Sequence, residues 1–185
     1  MGKIIGITGG IASGKSTVTN FLRQQGFQVV DADVVVHQLQ KPGGRLFQAL
    51  VQHFGQEIIL ENGELNRPLL ASFIFSNPEE REWSRITQGE IIREELATLR
   101  DQLVQTKEIF FMDIPLLFEQ DYASWFDETW LVYVDRDVQV ERLVKRDRLS
   151  INEAESRLAA QWPLEKKKYL ASHILDNNGN QDQLL

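Results

Sequence analysis

Five short runs of apolar and β-branched residues punctuate the chain, and helical spacing fills the stretches between them. The runs are Lys3 to Thr8, Phe27 to Val30, Ile109 to Met112, Thr129 to Val134 and His173 to Leu175. Most carry apolar residues at both alternating sets of positions, which predicts parallel strands covered on both faces by crossover helices. They end at Gly9, Asp31, Asp113, Asp135 and Asp176. Open α/β sheets bind ligands at the carboxyl ends of their strands, so this aspartate-rich edge is where chemistry is expected.

The intervening segments read as helices. Leu46, Phe47, Leu50, Val51 and Phe54 recur at helical spacing across Gly43 to Phe54. Asn66-Arg67-Pro68 opens another helix through Phe75, and Asn77-Pro78 opens a long charged one to about Leu103. This insert between the second and third strands either holds a substrate or only packs on the sheet. A second helical insert, Asp137 to about Leu170, is dense in arginine and lysine. No internal repeat or low-complexity linker is visible.

Composition narrows the class. In 185 residues the apolar fraction is 42% and the charged fraction 25%, an ordinary globular balance, so disorder is not expected. The 20 lysines and arginines against 27 aspartates and glutamates give a net charge of −7. That surface repels nucleic acid and anionic lipid, and any polyanionic ligand must be drawn in by a local basic site. The lack of cysteine excludes disulfides, thiolate metal sites and a cysteine nucleophile. The first apolar run is too short for a signal peptide, and no stretch approaches the roughly 20 apolar residues that span a bilayer. Met1-Gly2 is not read as a myristoylation signal, because a buried strand follows it. A cytoplasmic protein is expected.

Gly9-Gly10-Ile11-Ala12-Ser13-Gly14-Lys15-Ser16 satisfies G-x-x-x-x-G-K-[ST], directly after an apolar strand and before the helical pattern of Val18, Phe21 and Leu22. The glycines let the backbone turn tightly, so that successive N–H groups converge on a phosphate, and the following helix adds its positive end. In this chemistry Lys15 bridges β- and γ-phosphate oxygens and the Ser16 hydroxyl ligates Mg²⁺. The loop alone does not separate kinases from switches or motors. No N-K-x-D guanine-reading motif is present and the chain is short for a motor, which leaves a small-molecule kinase.

Asp31-Ala32-Asp33 stands at the end of the second strand, where alternate residues point the same way. Both carboxylates are therefore expected at the cleft, with Asp33 as the base or acceptor for a hydroxyl and Asp31 in support, or one of them capping the helix from Val34 to Leu39. After the third strand comes Asp113-Ile114-Pro115-Leu116-Leu117-Phe118-Glu119. Asp113 can hold magnesium through water, and the apolar residues beyond it serve either the core or a substrate. Arg142 and Arg146 share a helical face, with Arg148 and Arg157 nearby, and form either a cationic lid over the γ-phosphate or a solvated surface with Glu141 and Lys145.

Together these residues resemble the dephospho-coenzyme A kinase family, over nearly the whole chain. The resemblance is carried by Ile7 to Thr17; by Asp31-Ala32-Asp33 with His37 and Pro42-Gly43; by Leu65-Asn66-Arg67; by Asp113 to Glu119; by Arg142 with Arg146; by Ala160-Gln161; and by Asp176-Asn177-Asn178-Gly179. It implies a P-loop kinase-like α/β fold with a parallel five-stranded sheet, helices on both faces, a helical substrate-binding insert and a helical lid. It implies one kinase domain over 1–185, with its core at about 1–40, 105–137 and 171–185, the insert at about 41–104 and the lid at about 138–170. The implied reaction is transfer of the γ-phosphoryl of ATP to the ribose 3′-hydroxyl of dephospho-coenzyme A, with Mg²⁺, as the last step of coenzyme A synthesis.

The resemblance assigns Ala12, Ser13, Gly14, Lys15, Ser16 and Thr17 to the ATP phosphates, with Arg146 and, near the adenine, Asn177 and Gly179. It implies Asp33, Lys15 and Arg142 as catalytic groups. It places Asp31, Asp33, His37, Arg67, Leu116 and Leu117 at the substrate, and Ser16 on the metal with Asp113 through water. The expected partners are ATP and dephospho-coenzyme A, without nucleic acid or membrane, in a monomer or weak homo-oligomer. Two departures stand out. Where the family often has His-Pro, this chain reads Thr87-Gln88-Gly89-Glu90, for which a local shift in the helix is expected. The sequence also stops six residues after Gly179, where relatives commonly continue into a further helix, so a shortened C-terminus is expected. A nucleoside or nucleoside monophosphate kinase, and a nucleotide-dependent binding protein, are the competing readings.

Overall fold

The computed structural model describes residues 2–106, 108–179 and 184. Its strands are β1 (Lys3–Gly9), β2 (Gln28–Asp31), β3 (Ile109–Asp113), β4 (Glu128–Tyr133) and β5 (His173–Asp176). They form one parallel five-stranded sheet in the order β2-β3-β1-β4-β5. The expected strands are all present, shifted by a residue or two at their ends. β1, β3 and β4 are the interior strands and bury most of their residues, whereas β2 and β5 are edges and stay partly exposed.

Helices follow each crossover: α1 (Lys15–Gln24), α2 (Ala32–Leu39), α3 (Arg45–Phe54), α4 (Arg67–Ser76), α5 (Pro78–Val104), α6 (Arg136–Asp147), α7 (Ile151–Leu158) and α8 (Leu164–Lys168). Their starts are written in the sequence. Asn66 accepts the Leu69 N–H at 3.2 Å with Pro68 in the first turn of α4, and Ser150 and Glu153 form a reciprocal capping box on α7. α5 runs without a break through Thr87-Gln88-Gly89-Glu90, so the expected local shift does not interrupt it.

The chain divides into two units, one of Met1–Asp31 with Leu103–Leu185 and the other of Ala32–Gln102. The first contains the whole sheet. Ile5, Ile7 and Val132 from its strands pack with Val18 and Leu22, one turn apart on α1, and with Phe111. A second cluster joins Leu143 of α6 to Ala154 and Leu158 of α7. The other unit has its own core of Leu50, Ile58, Leu65 and Leu70, ringed by Phe54, Phe73 and Trp83. Residues 180–183 and 185, the end of the expected core segment, lie outside the described residues.

Candidate active site

The carboxyl ends of the strands carry residues that the sequence singled out. Asp31 and Asp113 are register partners at the ends of β2 and β3, and β1 delivers its last residue, Gly9, to the start of the glycine-rich loop. That loop turns with the Ser13 N–H donating to the Gly10 carbonyl at 3.1 Å, and α1 begins at Lys15.

Its glycines do different work. Gly14 has φ of +87°, a left-handed conformation that costs other residues about 1–2 kcal/mol. Gly9 and Gly10 are needed for closeness instead. A Cβ on Gly9 would stand 2.5 Å from Ser13 Oγ, and one on Gly10 would stand 2.5 Å from Gln139 Nε2. The other left-handed residue of the loop is Ala12, at φ of +61°. Positive φ thus falls at Ala12 and Gly14, while the glycine pair serves packing.

The loop is fastened from outside by side chains of the C-terminal third. Gln139 Nε2 donates to the Ile11 carbonyl at 2.7 Å, and the Ile11 N–H donates to Gln161 Oε1 at 3.0 Å. Asn177 Nδ2 donates to the Ser13 carbonyl at 2.8 Å, and Arg142 Nη2 in turn donates to the Asn177 carbonyl at 2.7 Å. In a trans peptide the C=O and the next N–H point in opposite directions. Fastening the Ile11 and Ser13 carbonyls therefore turns the N–H groups of Ala12 and Gly14 away from Gln139 and Asn177.

Lys15 forms an ion pair with Asp113, whose carboxylate is buried at the end of β3. Ser16 is exposed in the first turn of α1. A hydroxyl and a nearby strand-end carboxylate are hard oxygen donors, the set that suits Mg²⁺ carried on phosphate oxygens. Thr17 continues α1, its N–H donating to the Gly14 carbonyl at 3.0 Å.

The two arginines separate. Arg142 reaches inward to Asn177, whereas Arg146 is exposed and forked onto Asp147, at 2.7 and 3.1 Å. Asp147 also receives Arg157 at 2.7 Å. The hydrogen bonds from Arg146, with the charges of Arg146 and Arg157, hold the Asp147 carboxyl below the ordinary range, and Asp147 in turn raises Arg146. The structure thus ties Arg142 to Asn177, which itself holds the loop, and leaves Arg146 in a surface ion pair. Nearby, the Tyr133 hydroxyl donates to Glu165 and lies 2.9 Å from Asp135. These bonds, with burial, push its ionisation well above the ordinary tyrosine value.

One expectation is corrected. Asp31 ends β2, but α2 begins at Ala32, so Asp33 lies in a helical first turn and not on a strand. The period-2 argument that both carboxylates share a face therefore fails, because it holds only along a continuous strand. Asp31 is 3.7 Å from Arg23. In the second unit Asp33 and His37 are exposed on α2, and Arg67 Nη1 donates to Gln40 Oε1 at 2.6 Å. Leu116 is half-buried in the turn after β3, but Leu117 is 0% exposed against Gly6, where a Cβ would stand 2.7 Å from its Cδ1. Leu117 is a core residue. Asn178 Oδ1 accepts the Asp135 N–H at 2.8 Å, and Gly179 is exposed beyond it.

Sequence reading missed Gln139 as part of this site and gave Gln161 and Lys167 no role. Gln139 had a signal, since it sits four residues before the buried Leu143, a polar residue on the apolar face of α6. Lys167 had none, being the middle of three lysines that read as solvated.

The family model described as dephospho-CoA kinase matches residues 3–183. A dephospho-CoA kinase of Streptococcus pneumoniae serotype 4 is 88% identical over 185 residues, which are 100% of this chain and 92% of the relative. A crystal structure from Thermus thermophilus superposes with a TM-score of 0.78 at 33% identity, covering 99% of this chain and 92% of that one. A dephospho-CoA kinase from Campylobacter jejuni superposes with a TM-score of 0.77 at 24% identity over 100% and 94%, a likeness of fold.

Proposed function

The chain belongs to the dephospho-CoA kinase family, and on that premise we propose how its residues transfer a phosphoryl group from ATP to the ribose 3′-hydroxyl of dephospho-coenzyme A. The reaction, ATP-dependent phosphorylation of dephospho-coenzyme A, is the final step of coenzyme A biosynthesis. The observation that carries the residue assignment is the loop of residues 9–16, with its carbonyls fastened by Gln139 and Asn177 and its Ala12 and Gly14 amides turned the other way.

Those amides, with the N-terminal end of α1, receive the β-phosphate of ATP, and Ser13 and Thr17 complete the cradle. Lys15 leaves Asp113 for the β- and γ-phosphate oxygens, a local cation that offsets the acidic surface. Ser16 and, through water, Asp113 would hold Mg²⁺, whose charge when bound would offset that on the transferred group. Arg142, already fixed on Asn177, supplies positive charge over the γ-phosphate ahead of Arg146, which joins only by leaving Asp147. Asn177 and Gly179 border the adenine. Asp33 orients the acceptor hydroxyl and takes its proton. Asp31, His37, Arg67 and Leu116 contact dephospho-coenzyme A, and the 32–102 unit holds its pantetheine arm. The chain works in the cytoplasm, as a monomer or weak homo-oligomer.

The test is an acceptor screen with ATP and Mg²⁺. Dephospho-coenzyme A is expected to drive ADP release, and AMP, UMP and deoxynucleosides are not. Turnover of a nucleotide alone, or ATP binding without acceptor-dependent ADP release, would overturn the proposal in favour of a nucleotide kinase or a binding protein.

A further inference from the structure

We propose that Lys167 is a positioning residue for the nucleotide, a buried ammonium that fixes the first carbonyl of the phosphate loop and ties it to the turn after β3. This inference rests on the phosphotransfer reading above. Its neighbours in the lysine run lie on aromatic faces, Lys166 3.3 Å from the Trp162 ring centre and Lys168 4.4 Å from that of Tyr133. Lys167 is different, at 0% exposure. A buried ammonium needs oxygens. It finds Glu119 Oε2 at 3.0 Å, the Gly9 carbonyl at 3.3 Å and the Pro115 carbonyl at 3.4 Å. The Thr8 hydroxyl donates to the same Pro115 carbonyl at 3.0 Å.

Three segments therefore meet at one nitrogen: the end of β1, the turn of Pro115 and Glu119, and α8. A buried ion pair is a poor device for stability alone, because apolar side chains of equal volume often do as well. What an ammonium does and an apolar side chain cannot is hold several oxygens of separate segments together. The pattern along the loop gives this a purpose. The carbonyls of Gly9, Ile11 and Ser13 are held by Lys167, Gln139 and Asn177 respectively. By the planarity of the trans peptide, each fastening turns the next N–H away from its anchor, and Lys167 does so for Gly10. It completes an alternating set that preorganises the amide cradle before ATP arrives, so its loss should fall on ATP.

Glu119 supplies the control. Its Oε1 is buried without a hydrogen-bond partner and its Oε2 accepts the Trp162 N–H at 3.4 Å, so Lys167 is the cation that compensates its charge. The test compares the full chain with Lys167→Met, Glu119→Gln and the double variant. The readouts are melting temperature by circular dichroism, kcat, and KM for ATP and for dephospho-coenzyme A. Lys167→Met is expected to lower Tm by roughly 6–20 °C, because it strands a buried carboxylate. It should raise the KM for ATP about tenfold or more, the scale of one charged hydrogen bond, and leave that for dephospho-coenzyme A within about twofold. Glu119→Gln keeps the ammonium on Gly9 and should hold the ATP KM near the parent value.

The double variant decides between positioning and mere stability. Removing both charges should recover most of the Tm without recovering the KM for ATP. Recovery of both, or equal rises in the two KM values, overturns the proposal. If Lys167→Met does not fold, the neutral double variant carries the same comparison. A parent chain with no acceptor-dependent ADP release would sink the phosphotransfer reading and this inference with it. An active parent beside a double variant with unchanged ATP KM would sink this inference alone.

Discussion

Gly14→Ala tests the phosphate loop most sharply, because backbone and side-chain geometry both forbid a methyl group there. At φ of +87° an alanine pays the left-handed cost of about 1–2 kcal/mol. Its Cβ would also stand 2.1 Å from Asn177 Nδ2, so the amide must withdraw from the Ser13 carbonyl it holds at 2.8 Å. Leaving that buried carbonyl without its partner costs about 1–3 kcal/mol more. The sum, about 2–5 kcal/mol, is a large share of the stability of an ordinary domain. ATP affinity should fall about tenfold or more, since the Gly14 amide loses its orientation. Urea unfolding and calorimetric titration with ATP·Mg measure the two quantities. The double-mutant cycle with Asn177→Ala sharpens the test. Once the methyl has displaced Asn177, removing Asn177 should cost almost nothing further, so the coupling energy should equal the cost of Asn177→Ala alone, about 1–3 kcal/mol. An additive cycle, or a Gly14→Ala chain as stable and as tight for ATP as the parent, would refute the reasoning.

Three other predictions concern separate parts. Lys15→Ala should lower kcat/KM by about 10²-fold or more with an unchanged far-UV spectrum; parent-level kcat/KM would remove the role given to the loop. Asp33→Asn should lower kcat strongly with ATP affinity nearly kept, and Asp31→Asn should be the milder change; the opposite ranking in steady-state kinetics would reverse the assignment. The Asp147 carboxyl is held below its ordinary value, foremost by Arg146, so its ionised form belongs to the folded state. The stabilisation is present above the unfolded carboxylate range near ~4 and is lost as pH falls below it. Hydrogen-exchange protection factors of α6 and α7, corrected for the intrinsic rate at each pH, should fall on acidification, and Asp147→Asn should flatten that fall; an unaltered profile would show that this carboxylate does not hold the helices.

Much of the fold was legible because its signals are local. Apolar runs with abrupt polar ends marked the five strands, and Asn66-Arg67-Pro68 and Asn77-Pro78 marked helix starts that need only nearby atoms. The loop was legible because its spacing is chemistry written along the chain. What the sequence could not carry was the outer fastening of that loop, since Gln139, Gln161, Lys167 and Asn177 reach it across sequence separations of more than a hundred residues. Lys167 was hidden by its own run, where a charge normally means solvent. The direction of Asp33 was read with a strand's period, although the strand ends at Asp31. A helix starting at Ala32 changes the period from 2 to 3.6, and side-chain direction changes with it.

The most direct measurement follows the reaction by ³¹P NMR with ATP, Mg²⁺ and either dephospho-coenzyme A or its 3′-deoxy analogue. With the natural acceptor a ribose 3′-phosphomonoester signal should grow in step with ADP, and the deoxy compound should give neither. ADP formed equally with both, or a new phosphate at another position, would contradict the account.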